Sequence, residues 1–252
     1  MEFTENTLFK DYAVFWLENY VRGFVKDNTY MGTYYHQTNN ALIPYFGNMR
    51  ISEIKSSVIQ KFFNIQGKQY SFETLKKMKF CLSNILLVAV DDGVIFRNPV
   101  NSRIRLKSDI PPIEKNVWCQ EHFDCAYRFA LTHPYGLGPL LLMDTAITRS
   151  ELLGIEWENV LWNKAYITIR NGTVLVQDPG TKKHYLLTDG LKNKYRKRDI
   201  PISKEVCDYL RLQYQRILFL GRHKGLTLAQ INKQFVISNQ KGEAMDPNNW
   251  SK

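Results

Sequence analysis

The chain has no CxxC pair, no internal repeat, no low-complexity tract and no apolar run longer than the one from Gly136 to Met143. A run that short falls well below the roughly 20 residues that a membrane-spanning helix needs. The start, Met1-Glu2-Phe3-Thr4-Glu5, is acidic and lacks the basic and apolar regions of a secretory signal. The expectation is a cytoplasmic protein with no membrane partner. Four cysteines, Cys81, Cys119, Cys125 and Cys207, are scattered away from the five histidines. That spacing offers neither a zinc site nor a disulfide framework, so buried free thiols and no metal or other cofactor are expected. What is abundant is aromatic and basic. Five Trp, 14 Tyr and 14 Phe within a 44% hydrophobic composition exclude a disordered chain. A formal net charge of +10 points to a polyanionic partner, with nucleic acid favoured over an anionic membrane because no basic amphipathic helix with an aromatic face is present.

At 252 residues there is room for two domains with separate cores. Residues Leu8 to Tyr20 place Leu8, Tyr12, Phe15, Trp16 and Tyr20 three and four apart, which predicts an amphipathic helix. A second helix is expected from Tyr30 to Leu42, capped by Asn28 or Thr29 and stopped before Pro44. A third is expected from Ile51 to Gln66. The fourth, Ser71 to Asp91, has Ser71 as cap and turns Leu75, Met78, Leu82, Ile85, Leu86 and Ala89 inward. Four helices make a small bundle. Asn98-Pro99 then opens an irregular basic stretch that runs to Pro111-Pro112 and reads as a linker, giving expected domains of 1–108 and 109–252. Beyond it, Trp118 to Leu131, Leu137 to Leu153 and Val206 to Leu220 read as helices. Ala165 to Arg170, Thr173 to Gln177, His184 to Leu187 and Arg198 to Ile202 read as short strands. The expected fold class is mainly α with a small antiparallel β-sheet.

The segment from Thr145 to Trp157, Thr-Ala-Ile-Thr-Arg-Ser-Glu-Leu-Leu-Gly-Ile-Glu-Trp, resembles the first catalytic box of the tyrosine recombinases, the phage and transposon integrase family. Leu191 to Lys194 and then Arg198-Asp199-Ile200-Pro201-Ile202 resemble that family's hairpin lysine and its R-x-I-P-L strand. Tyr45-Phe46-Gly47 and Asn98-Pro99 match the pattern of its core-binding domain. The resemblance implies a SAM-like helical domain and a partial α+β catalytic domain forming a C-shaped clamp on duplex DNA. It implies strand cleavage by a tyrosine hydroxyl through a 3′-phosphotyrosyl link, without metal. In such chemistry guanidinium forks hold the charged phosphate oxygens, and an acid protonates the leaving oxygen.

Carried onto this chain, the resemblance assigns the acid to Lys192, with Lys194 its main competitor, and makes Glu151 the brace of the site loops. It places Thr148 where the family has its first catalytic arginine. A threonine hydroxyl offers one neutral hydrogen bond in place of two charge-assisted ones. Arg149 is one residue away, a rotation of about 100° on a helix. No histidine is followed three residues later by arginine, so the family's later box is not matched, and the chain reads as C-terminally truncated.

Expected DNA contacts are Tyr30, Thr33 and Tyr34 on the second helix; Thr74, Lys76, Lys77 and Lys79 on the fourth; Arg103, Arg105 and Lys107 in the linker; and Lys194 and Arg196 beside the candidate acid. For the helix residues the alternative is a solvated helix face, and for those beside the candidate acid a solvated charge. The linker trio is the strongest, because alternate residues of an extended segment point to one side. The expectation is the DNA-binding portion of a site-specific recombinase that binds double-stranded DNA without cutting it. Such a chain would be a monomer alone, with higher-order assembly on DNA for the intact protein. The rival readings are a non-catalytic regulator or decoy of the same fold and, more remotely, an RNA-binding protein.

Overall fold

In a computed structural model the chain divides into two compact units, Met1–Lys115 with Gln177–Lys183, and Asn116–Val176 with His184–Lys252. The structure describes residues 3–114, 116–181, 183–190, 194–239 and 241–250. The fold is mainly helical with a small antiparallel sheet.

In the first unit, α1 (Phe9–Trp16) runs on as a π-helical turn through Leu17–Val21. Next, α2 (Asp27–Thr29), π-helical turns at Tyr30–Tyr35 and Thr38–Leu42, and α3 (Ile43–Phe46) follow one another as one helical stretch. This departs from the expected start and stop. Lys26, not Asn28 or Thr29, is the N-cap. Pro44 does not stop the stretch: it lies two residues beyond the π-helical turn Thr38–Leu42, and the helix runs on to Phe46. The expected third helix is divided into a 3-10 turn (Ile51–Glu53) and α4 (Ser56–Gln66). The fourth is α5 (Phe72–Asp91), with Ser71 at its N-cap bonded to the Thr74 hydroxyl. All six residues expected to face inward on α5 are buried, and they pack with Phe9, Tyr12, Trp16, Phe46, Phe62 and Phe63 in an aromatic core. Each such ring contributes on the order of 1.5–3 kcal/mol by leaving water.

The second unit begins with α6 (Gln120–Thr132) and α7 (Leu137–Thr145). The helix expected from Leu137 to Leu153 is broken, because Ala146 adopts the left-handed conformation (φ 52°) and ends α7. The chain restarts as α8 (Arg149–Leu153) with Thr148 as N-cap. Strand β1 (Val160–Leu161) pairs antiparallel with β2 (Tyr166–Ile169), which pairs antiparallel with β5 (Arg198–Pro201) in register Ile169 to Arg198 and Tyr166 to Pro201. Strands β3 (Asn171–Gln177) and β4 (His184–Gly190) form a separate two-stranded sheet. After β5 come α9 (Lys204–His223), α10 (Leu228–Asn232) and α11 (Pro247–Trp250). The core gathers Leu140, Leu141, Leu152, Trp157, Ile167, Val206 and Leu210. All four cysteines are free, but only Cys81 and Cys207 are buried; Cys119 and Cys125 are exposed, against expectation, because they lie at the solvent face of α6 and its cap.

Candidate nucleic-acid interface

In the first unit the basic segment opens with a turn in which the Ile104 N–H donates to the Asn101 carbonyl, and then runs without regular structure to Asp109, fastened to the helices by hydrogen bonds along its length. Ser56 Oγ donates to the Pro99 carbonyl at 2.6 Å, and Asn101 Oδ1 accepts from the Arg103 N–H. The Gln60 amide bonds Arg105 twice, accepting from its N–H and donating to its carbonyl, both at 2.9 Å. Lys79 Nζ donates to the Ile104 carbonyl at 2.9 Å. Ser108 Oγ donates to the Tyr70 carbonyl, and the Asp109 N–H to the Gly67 carbonyl. Gly67 is required at this crossing, since a Cβ there would lie 2.1 Å from the Lys107 carbonyl oxygen. Ile104 is buried and Leu106 half-buried, so the residues alternating with them, Arg103, Arg105 and Lys107, are exposed. Lys107 has only a loose partner in Asp109 at 3.8 Å.

The other expected contacts of this unit are unequal. Tyr30 does not lie at the surface: it is 2% exposed, its hydroxyl donates to Glu18 at 3.2 Å, and burial beside that carboxylate pushes its phenol up to about 12. Thr33 is half-buried, with its carbonyl accepting from Cys81 Sγ. Tyr34 is half-buried between Trp16 and Phe80. Thr74 is engaged with Ser71. Lys76 pairs with Glu73 at 2.8 Å and lies over the Phe72 ring, while Lys77 is exposed. Lys79 is half-buried and holds the basic segment, so its ammonium is a strut.

In the second unit the chemistry gathers at the start of α8. Thr148 and Glu151 form a capping box: the Thr148 N–H and hydroxyl both donate to Glu151 Oε2 at 2.9 Å, and the Glu151 N–H donates back to Thr148 Oγ1. The one hydroxyl proton expected to reach a phosphate is therefore committed to Glu151. From β5, Arg198 closes a fork on the same carboxylate, with Nη1 to Oε1 at 3.0 Å and Nη2 to Oε2 at 3.4 Å. Arg196, in the 3-10 turn Lys194–Arg196, reaches Oε1 at 3.6 Å. Burial of Glu151 pushes its carboxyl upward, but hydrogen bonds from Arg198 and Thr148 outweigh this and hold it below its ordinary value. Arg149 is exposed at the first position of α8. Lys192 lies outside the described residues, and so does the side chain of Lys194.

Sequence reasoning missed two residues. The pairing of Arg198 with Glu151, 47 residues away, is signalled by no local spacing. Gln60 carried no signal at all. Among the described residues, no group of three or more His, Cys, Asp or Glu is placed to hold a metal ion, and no helix is long and apolar enough to cross a membrane.

Residues 8–65 match the phage integrase N-terminal SAM-like domain. Over 251 residues the chain is 26% identical to a tyrosine recombinase XerC-like protein of Caldanaerobacter subterraneus subsp. tengcongensis, covering 94% of this chain and 63% of that protein. The chain thus spans under two thirds of that relative's length. Its fold is similar to that of the Tn1549 transposon integrase in complex with transposon right end DNA, with a TM-score of 0.71 at 20% identity over 95% of this chain and 74% of the other. It is also similar to lambda integrase in a tetramer bound to a Holliday junction, with a TM-score of 0.63 at 14% identity over 98% and 61% of the two chains.

Proposed function

We propose, for a chain that belongs to the tyrosine recombinase and integrase family, that it is the DNA-binding portion of a site-specific recombinase and binds double-stranded DNA without cutting it. The observation that supports the binding is the fastened basic segment, whose Arg103, Arg105 and Lys107 are exposed while Ile104 and Leu106 between them are covered. Fixing the backbone that carries those cations before DNA arrives lowers the entropy lost on binding. Phosphate contacts of this kind give affinity and register without base readout. Further contacts are assigned to Lys77 in the first unit and to Lys194 and Arg196 in the second, with Lys192 the candidate general acid. The domains are read as 1–108 for core binding and 109–252 for the catalytic part.

The absence of cleavage rests on Thr148. At the position where the family has an arginine, this chain has a neutral hydroxyl already committed to Glu151. Losing an oxyanion donor of that kind costs roughly 3 kcal/mol or more of transition-state stabilisation.

The test is a salt titration of duplex binding. Replacing Arg103, Arg105 and Lys107 together by Ala is expected to weaken binding strongly and to reduce the slope of log affinity against log salt by about 2.7. An unchanged slope would remove this segment from the interface. Tighter binding to structured RNA than to duplex DNA would overturn the whole reading, and a covalent adduct on a nicked duplex would overturn the absence of cleavage.

A further inference from the structure

We infer that Arg198 and Arg196, seated on Glu151, form a site that binds a backbone phosphate of the duplex beside Thr148, without taking over the transition-state role of an arginine at that position. The inference rests on the duplex-binding reading above and goes further by naming the residues and the oxygen they grip. Glu151 Oε1 accepts from Arg198 at 3.0 Å and lies 3.6 Å from Arg196 Nη1, so the two guanidinium groups converge on one oxygen. Glu151 Oε2 is shared by Arg198 Nη2 at 3.4 Å and the Thr148 hydroxyl at 2.9 Å, which puts the Arg198 fork next to the position that an arginine would otherwise serve.

Neither cation is used up by the carboxylate. A guanidinium carries five N–H donors. Arg198 spends Nη1 on Glu151 and on the Arg196 carbonyl, and one N–H of Nη2 on Glu151; its Nε and second Nη2 N–H have no partner among the described residues. Its side chain is 38% exposed and that of Arg196 42%, while Glu151 is 3% exposed. The carboxylate is thus an inner anchor and the guanidinium edges face water. Two arginines on one carboxylate leave a net positive charge, and an anchored fork binds a phosphodiester oxygen by paired, charge-assisted hydrogen bonds that a mobile lysine does not match.

This arrangement separates from ordinary basic attraction by one substitution. Glu151→Gln raises the net charge by one, so a diffuse positive surface would bind duplex DNA as tightly or more tightly. A fork that needs its anchor would bind more weakly, by about tenfold, because the guanidinium loses its fixed orientation. Arg198→Lys keeps the charge and removes the fork, and is expected to weaken binding to a similar degree. The half-exposed Arg196→Ala leaves the buried pair intact and is expected to cost a few-fold with a salt slope lower by about 0.9.

Fluorescence anisotropy with a fixed labelled duplex reads all four proteins, with circular dichroism as the folding control. If Glu151→Gln does not fold, Arg198→Lys and Arg196→Ala decide the matter. Wild-type protein that fails to bind the duplex overturns the DNA-binding reading itself. Wild type that binds, with folded variants that bind equally or more tightly, overturns the fork alone.

Discussion

Replacing Arg198 by Ala strands the Glu151 carboxylate, and the size of the effect can be worked from its surroundings. Glu151 is 3% exposed and receives four close donors, two from Arg198 at 3.0 and 3.4 Å and two from Thr148 at 2.9 Å. Removing one partner of a fully buried pair costs roughly 3–5 kcal/mol. Here the Thr148 donors stay, Arg196 remains at 3.6 Å, and Arg198 is itself 38% exposed, so the expected loss is about 2 kcal/mol. At this chain length that corresponds to a drop in melting temperature of about 4–8 °C. Urea unfolding followed by tryptophan fluorescence reports it well, because Trp118, Trp157, Trp162 and Trp250 all lie in the second unit. The pH dependence checks the cause. Since the Glu151 carboxyl is held below its ordinary value, its contribution is present above the unfolded-state value and is lost as pH falls through the lower folded-state one. The gap between wild type and Arg198→Ala should therefore be widest near neutrality and narrow once pH drops below about 4. Adding Glu151→Gln to Arg198→Ala should recover stability by removing the stranded charge. A variant within about 0.5 kcal/mol of wild type at neutral pH, or a gap that does not change with acid, would refute the account.

Two other perturbations read the backbone. Ala146→Gly should stabilise the second unit by about 0.5–1 kcal/mol, because a left-handed alanine carries strain of about 1–2 kcal/mol that glycine's greater unfolded-state entropy only partly offsets; a lowered urea midpoint would contradict it. Gly67→Ala should loosen the basic segment, since its Cβ would meet the Lys107 carbonyl at 2.1 Å. Faster amide exchange at Asp109, whose N–H bonds the Gly67 carbonyl, is the expected sign; unchanged exchange would mean that the crossing relaxes elsewhere.

The helical face of α5 was legible because seven buried side chains recur at helical spacing over 20 residues, a signal that the local sequence carries whole. The break at Ala146 was not, since an alanine gives no hint of a left-handed conformation that its surroundings impose. Likewise β1 has only two residues and exists because β2 offers it a partner. The linker trio was read from alternation alone, and the structure adds what fastens it. Glu151 was noticed through its motif, but its partners arrive from β5, and pairings at that sequence distance are settled by the sheet register, which no short pattern encodes. Tyr30 misled because tyrosine suits both a core and a phosphate; only its 2% exposure separates the two.

The doubled bond between Gln60 and Arg105 makes a side-chain amide imitate one rung of a β-ladder where no neighbouring strand exists. A ladder of many rungs can slide by a residue and keep most of its bonds, but a single rung has one setting. Shifted by one position, the segment would turn Ile104 and Leu106 to water and its cations toward the helices. The phase of the basic row at Arg105 is therefore fixed by one uncharged glutamine, while Lys79, Ser108 and the Gly67 backbone hold the residues on either side of it.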